Sequence, residues 1–470
     1  IAVGATGTYL AIGTPMMVLN QLKTLTYGTF SNYSFSIIPL FLLMGQFATL
    51  SGMSAALFRA AESFLGHRKG GVAMAAVGAC AGFGAICGSS LATAATMSRV
   101  ALPELKRYGY SGGFSTATLA AGGTLGILIP PSVILVIYAI LTEQNIAKLF
   151  LAAFVPGLLA ALGYILTISI YVRVNPEAAG VRAPVPWATR LRNFLDVWPV
   201  VLVFGLVVGG IYVGWFTPTE GAAVGAAGTG IIALIGGNMS WTVFKEAILV
   251  TASSTAMIFF IVLGAGIYNG FLALTQVPQE LADWVVGQGF SPWTVLALVL
   301  VFYLVFGCLM DSLSMILLTI PIFFPVISLM DFGFVDLAAM QAEAAREVLA
   351  AGVPEGMAAE MLAAIREAMA TGAELSREQM QALGIRVTEG IANRIEAEQV
   401  AIWFGILVLI VVEVGLITPP VGMNLFIINT MDRTTPMADT YRAVIWFVTS
   451  DILRVILLVL FPGITLFLLA

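Results

Sequence analysis

Asp311 stands in an apolar run, FGCLMDSLSMILLTIPIFFP over 306–325. A carboxylate at membrane depth is costly to bury and marks a functional position by default. Its plainer role is to cap the half-helix that follows it. Ser312 and Ser314 add hydroxyls to that stretch, and GSSLATAATM over 88–97 holds a comparable cluster in Ser89, Ser90 and Thr93. Downstream of each cluster lies a pair of adjacent prolines, Pro130-Pro131 in GILIPPS and Pro419-Pro420 in GLITPPV. Proline removes a backbone donor and clashes in a helix interior, so each pair breaks a helix and frees carbonyls. At membrane depth such backbone survives only where protein or a cavity surrounds it. The chemistry on offer is therefore binding through oxygen. Catalysis has little to work with: the one histidine, His67, sits in the basic run His67-Arg68-Lys69 and reads as a flank charge. Zinc has no ligand set, and no nucleophile–base pair is available.

The elements that must hold these groups are membrane helices. Hydrophobic residues make up 59% of the chain and charged residues 10%, with mean hydropathy +0.98. A soluble domain carries roughly a quarter charged residues. Stretches at 149–172, 196–214, 220–237, 400–430 and 449–469 are long and apolar enough to span, and 113–141 and 247–275 complete the crossings. No basic stripe suits nucleic acid. Cys80, Cys87 and Cys308 all lie in apolar context, against a disulfide framework. Methionine and phenylalanine read as lipid-facing filler. The chain opens with Ile1 inside an apolar run, from which an incomplete N-terminus is expected.

Loop charge orients the chain. His67-Arg68-Lys69 and Lys106-Arg107 bracket the segment 71–103, and basic loops prefer the cytoplasm. Two cytoplasmic flanks imply a re-entrant hairpin about 71–103 with 88–96 as its tip. Small residues there serve close helix packing equally well. A linker at 176–195 carries Arg182, Arg190 and Arg192 and reads as cytoplasmic.

The halves repeat. Ser90 to Pro103 and Ser312 to Pro325 each span 13 positions, and each hairpin precedes a Pro-Pro break. Residues 1–175 form the first repeat, lacking a counterpart to the helix at 196–214. Residues 196–470 form the second, with a hairpin about 291–325, and the crossing count inverts it. The predicted fold is an all-α polytopic membrane protein, an inverted-topology repeat with two re-entrant helical hairpins and two Pro-Pro-broken helices. Matched interrupted segments in two halves point to a transporter site. Pro103 to Pro130 is 27 positions and Pro325 to Pro419 is 94, so the second half carries 67 more. These match a charged stretch at 331–398, with 12 acidic side chains against 5 arginines, read as amphipathic helices on the outer, periplasmic face.

Six motifs carry a resemblance: SIIPLFLLMGQ (36–46), CGSSLATAATM (87–97), GTLGILIPPS (123–132), FTPTEGAAVGA (216–226), FGCLMDSLSMILLTIPIFFP (306–325) and GLITPPVGMNLF (415–426). Together they resemble the large membrane subunit of TRAP transporters, the DctM-type permease, over nearly all the chain except the insertion. The resemblance implies a sodium-driven elevator-type carrier of a small organic acid in the bacterial inner membrane. It also implies a small membrane subunit and a periplasmic substrate-binding protein as partners, and no organic cofactor or catalytic activity. Sodium is a hard cation that favours oxygen. On that reading the candidate sodium ligands are Ser89, Ser90, Thr93, Thr124 and Pro130 in the first half, and Gly307, Asp311, Ser312, Thr418, Pro419 and Gly422 in the second. Ser90, Asp311, Ser312, Ser314 and Asn424 are the substrate candidates. Half-helix N-termini suit a carboxylate substrate. The motifs 87–97, 123–132 and 415–426 contain no Arg or Lys, so no cationic clamp is identified. Glu413 beside the second break is a proton site or, more plainly, a structural hydrogen bond; Asp451 and Arg454 read as a packing pair. A standalone two-hairpin dicarboxylate carrier and a channel are the alternatives, and two matched broken helices favour alternating access over a pore.

Overall fold

In a computed structural model describing residues 1–237, 239–354 and 357–469, the chain is a polytopic all-helical protein with no strand among the described residues. Seven helices among them are long and apolar enough to span: Tyr33–Leu50, Ile146–Val174, Trp187–Tyr212, Pro218–Ile235, Trp241–Leu274, Glu389–Gly415 and Met437–Leu460. An eighth span is a bent pair, Gly112–Leu128 and Val133–Thr142, turning by 44° at the first Pro-Pro break. The span at 33–50 escapes a hydropathy reading because Ser34, Ser36 and Gln46 dilute it. The apolar stretch 400–430 is interrupted where helix Glu389–Gly415 ends, and 449–469 belongs mostly to a helix that starts earlier, at Met437 after Pro436.

Two antiparallel helix pairs occupy the hairpin positions. The first is Gly71–Cys87 with Ser90–Arg107, the second Pro292–Gly307 with Ser312–Ser328. A helix of 16 or 17 residues is about 25 Å long, short of a hydrocarbon core of roughly 30 Å. Side-chain caps start both return helices: Ser89 accepts from the Ala92 N–H at 3.4 Å, and Asp311 from the Ser314 N–H at 3.0 Å. Gly88 turns the first tip at φ 63°, where an added Cβ would lie 2.8 Å from the Pro131 carbonyl oxygen. At the second, the Gly422 N–H donates to the Cys308 carbonyl at 3.4 Å. Each tip thus sits against the break in its own half, and both Pro-Pro bonds are cis.

The halves interlock reciprocally. Val133–Thr142, beyond the first break, packs on Ser312–Ser328 of the second hairpin, and Met423–Met431, beyond the second break, packs on Ser90–Arg107 of the first. Tyr138 donates to the Ala401 carbonyl at 2.6 Å, Thr116 and Thr440 share a hydrogen bond of 2.8 Å, and Lys106 pairs with Asp432 at 2.6 Å. The phenylalanines follow the expectation of lipid-facing filler only in part: Phe30, Phe194, Phe260 and Phe467 are exposed, but Phe41, Phe58, Phe83, Phe114, Phe150, Phe404 and Phe447 are fully buried. Composition does not say which face a side chain takes, and a close-packed interior rewards large apolar groups.

The linker docks through Arg182, whose guanidinium lies 2.8 Å from Glu62. The charged insertion forms helices Leu337–Ala351, Ala359–Thr371 and Arg377–Leu383 around a small separate core of Ala345, Ile365, Leu375 and Leu383. It returns as helix Glu389–Gly415, which continues into the membrane-spanning part.

Candidate functional site

The two tips open on one cavity of about 280 Å³. Cys87 to Ala92 line it from the first hairpin, and Asp311, Ser312 and Leu313 from the second. The N-termini of Ser90–Arg107 and Ser312–Ser328 therefore meet at one place. A helix N-terminus carries unpaired N–H groups and the positive end of the dipole, so this convergence favours an anion. The break-adjacent residues Ile127, Val133 and Leu416 complete an apolar wall, and no Lys or Arg takes part. A larger open cleft of about 700 Å³ lies on Arg68, Lys69 and Arg173, but no tip or break residue reaches it.

The tip residues divide by what their oxygens already do. Ser90 and Thr93 are 1% and 0% exposed, and neither hydroxyl has a hydrogen-bond partner. Thr93 lies over Gly126, whose added Cβ would stand 2.4 Å from the Thr93 Oγ1. Thr124 points elsewhere, donating to the Ala121 carbonyl at 2.7 Å and sharing a 3.0 Å bond with Tyr164, which donates to Asp451 at 2.8 Å. Asp451 and Arg454 are a buried pair at 2.9 Å. Pro130 belongs to the break that faces the first tip. Asp311 both lines the cavity and caps its helix, so the carboxylate does the plain job while facing the site. Ser312 is 7% exposed on the cavity wall, whereas Ser314 contributes its N–H to the cap. Gly307 crosses Gly415, Thr418 donates to the Val414 carbonyl at 2.6 Å, and Gly422 and Pro419 sit in the second break. Asn424 is fully buried and reaches the first half, its Nδ2 donating to the Ala120 carbonyl at 3.4 Å, while its Oδ1 has no partner.

Sequence reasoning passed over three polar groups on the cavity wall: Gln46 and Thr49 on helix Ile37–Leu50, and Ser254 on helix Trp241–Leu274. Their signal was faint, a lone polar residue in an apolar helix. It offered Glu413 as a proton site or a structural hydrogen bond; the group is 1% exposed and the hydroxyls of Ser90 and Ser312 lie near it.

Comparison with known proteins agrees with this architecture. Residues 1–464 match the family model described as the tripartite ATP-independent periplasmic transporter, DctM component. The C4-dicarboxylate TRAP transporter large permease DctM of Pseudomonas aeruginosa is 33% identical over 94% of this chain and 87% of its own length. The sialic acid large permease SiaM of Vibrio cholerae is 29% identical over 64% of this chain and 70% of its own. The isethionate permease DctMQ of Oleidesulfovibrio alaskensis is 30% identical over 70% of this chain and 51% of its own. The crystal structure of the Alcanivorax borkumensis YdaH transporter shares the fold, with TM-score 0.60 and 13% identity over 95% of this chain and 89% of that one. With a family match over nearly its whole length and a relative this similar, the chain belongs to the DctM family of TRAP transporter large permeases, multi-pass proteins of the bacterial inner membrane.

Proposed function

We propose that this chain carries a small dicarboxylate inward, coupled to sodium, as the moving core of an elevator-type carrier. The observation that carries the reading is the meeting of two half-helix N-termini, one from each repeat, in a single cavity of about 280 Å³. Two positive helix ends suit two carboxylates, and relatives named for C4-dicarboxylates, sialic acid and isethionate all handle anions. With no Lys or Arg on the wall, a cation bound beside the cavity would offset the remaining substrate charge. The orphaned oxygens of Ser90, Thr93 and Asn424 fit that role, because hard oxygen donors without partners are what sodium binds. Sodium, when bound, supplies positive charge next to the substrate. The chain's own groups orient the anion through the Ser89- and Asp311-capped helix starts and exclude water with the apolar wall. Three of the four hairpin helices, at 16 or 17 residues, fall short of a hydrocarbon core of roughly 30 Å, which supports their entering and leaving on one face. The elevator reading rests on both tips and both breaks forming one interlocked body. TRAP family members work with a substrate-binding protein and a small membrane subunit, and we assign the same partners here.

The test is uptake of a C4-dicarboxylate in proteoliposomes with both partners supplied. An inward sodium gradient should be required. Equal uptake on a proton gradient without sodium would sink the coupling, and equal uptake without the binding protein would favour a standalone carrier.

A further inference from the structure

Three cations meet on the open cleft of about 700 Å³ that lies away from the tips and breaks. Arg68 and Lys69 come from the turn that leads into helix Gly71–Cys87, and Arg173 from the last turn of helix Ile146–Val174. Packing brings them together. Gly70 has φ 77°, and a Cβ there would lie 3.1 Å from the side chains of both Ile168 and Val172, so the turn rests on the helix end. The turn is also pinned from within: the Arg68 N–H donates to the Leu65 carbonyl at 2.9 Å, and the Gly71 N–H to the Arg68 carbonyl at 2.8 Å. Among the described residues no acid lines the cleft, and none of the three cations enters an ion pair. Glu177 follows the wall residue Pro176 but does not line the cleft, and Glu62 is taken by Arg182 at 2.8 Å. Like charges gathered without a counter-charge make a positive field that attracts an anion from outside the chain.

Beyond the cations the wall turns apolar. Ser169, Leu166, Ile165 and Leu162 follow Arg173 back along its helix at steps of three and four residues, so they share one face. Leu162 and Leu166 are each 61% exposed. Arg173 stands 11 positions beyond Leu162. That is about 16 Å of helix, half of a hydrocarbon core of roughly 30 Å and so the depth of one leaflet. The basic end falls on the face that loop charge assigns to the cytoplasm. From that face inward the cleft offers cations, then a hydroxyl one turn further at Ser169, then leucines. A phospholipid has the same order: phosphate, ester oxygens, hydrocarbon. A soluble anion has only the first part.

We propose that this cleft binds an anionic glycerophospholipid of the cytoplasmic leaflet, its phosphate held by Arg68, Lys69 and Arg173 and an acyl chain laid along Leu166 and Leu162. Basic pockets between membrane helices on the cytoplasmic side suit such headgroups. The lipid bridges the entry of the first hairpin and the end of helix Ile146–Val174. It braces the hairpin from the bilayer side and shares no wall residue with the cavity between the tips.

The experiment is thermal unfolding of the purified full chain in a neutral detergent, titrated separately with phosphatidylglycerol, phosphatidylcholine and inorganic phosphate. Phosphatidylglycerol should raise the unfolding temperature saturably, and the other two should not. Arg68→Gln, Lys69→Gln and Arg173→Gln should each raise the phosphatidylglycerol midpoint about fivefold. Without lipid each should unfold as the parent does, because all three side chains are exposed and unpaired. Leu166→Ala should also raise the midpoint, which a site for the phosphate alone would not do. Arg192→Gln, removing an exposed cation of the linker on the same face, should leave it unchanged. Equal stabilisation by phosphatidylcholine would reduce the cleft to an acyl-chain groove, and equal stabilisation by inorganic phosphate would make it a free-anion site. An equal loss in Arg192→Gln would mean general attraction to a charged surface. Each of these results overturns the proposal, as does a parent indifferent to phosphatidylglycerol. Should one cleft variant fail to fold, the remaining ones decide.

Discussion

Gly307 and Gly415 cross backbone to backbone: a Cβ added to Gly415 would stand 2.5 Å from the Gly307 carbonyl carbon. The first half repeats the arrangement, a Cβ on Gly84 falling 2.5 Å from the Gly126 Cα. Each crossing lies four residues before a Pro-Pro pair and fixes a tip against its break. The obstacle is backbone, so neighbouring side chains cannot relieve it. Gly84→Ala and Gly415→Ala should each cost about 1–3 kcal/mol, as overpacking does, and lower sodium-dependent uptake. Gly78→Ala, on the same helix as Gly84 but with nothing within 4 Å, should be neutral or slightly stabilising. Thermal unfolding separates the two classes; equal losses at Gly78 and Gly84 would refute the close-crossing account.

What the sequence made legible follows from this geometry. Spacing alone revealed the proline pairs, the serine tips and their recurrence, because backbone breaks are written in residue types that have few other uses. The walls brought by Gln46, Thr49 and Ser254 were not legible, since a single polar residue on an apolar helix looks the same facing a cavity or a packing neighbour. Glu413 was visible as a buried acid, but its nearness to Ser90 and Ser312 depends on where two distant tips converge. The buried phenylalanines were misread for the same reason: periodicity is weak in helices that are apolar all round.

Asp311 combines two jobs that substitution can separate. As a cap it should tolerate Asn, whereas Ala should cost about 1 kcal/mol. As a charge on the cavity wall it should not tolerate Asn. We expect Asp311→Asn to unfold near the parental temperature yet lose most sodium-dependent uptake, and Asp311→Ala to lose both. Ser90→Ala should reduce uptake without loss of stability, since its hydroxyl has no hydrogen-bond partner to forfeit. Parental uptake by Asp311→Asn would leave Asp311 a cap and nothing more.

Lys106 joins the halves through Asp432, whose side chain is fully buried against it. Burial pushes the Asp432 carboxyl up, but bonds from Lys106, Thr434 and Thr435 outweigh it and hold the group down at about 2. A depressed carboxyl stabilises the fold above its unfolded value of 3.8, and the contribution fades as pH falls through about 2. Lys106→Met should therefore lower the unfolding temperature by a constant amount from neutral pH down to about 4, and the gap to the parent should shrink below that. A gap that stays open at the acid end would mean the lysine acts by packing.

The insertion is built to be removable. Its core of Ala345, Ile365, Leu375 and Leu383 is separate from the main core. Gln341 clasps it by donating to the Val387 carbonyl at 3.1 Å and accepting from the Leu375 N–H at 2.6 Å, so entry and exit lie within one side chain's reach. Outside it, Phe332 and Phe334 pack on Trp403 at ring separations of 5.5 and 5.0 Å, and Glu396 accepts the Gly333 and Phe334 N–H groups. Replacing 337–387 with a short flexible linker spares all of these anchors. The shortened protein should keep its fold and its sodium-dependent thermal shift. The insertion's excess of acidic side chains, 12 against 5 arginines over 331–398, is a negative field suited to steering a partner with a basic patch. Such steering acts on association and weakens with salt, exposed charges being screened beyond roughly 10 Å at 0.1 M. Uptake from the loaded binding protein should therefore fall at low salt in the shortened carrier, and the difference should narrow as salt rises. Loss of the oligomeric state on deletion would assign the helices to subunit packing, and unchanged delivery at every salt concentration would remove the docking role altogether.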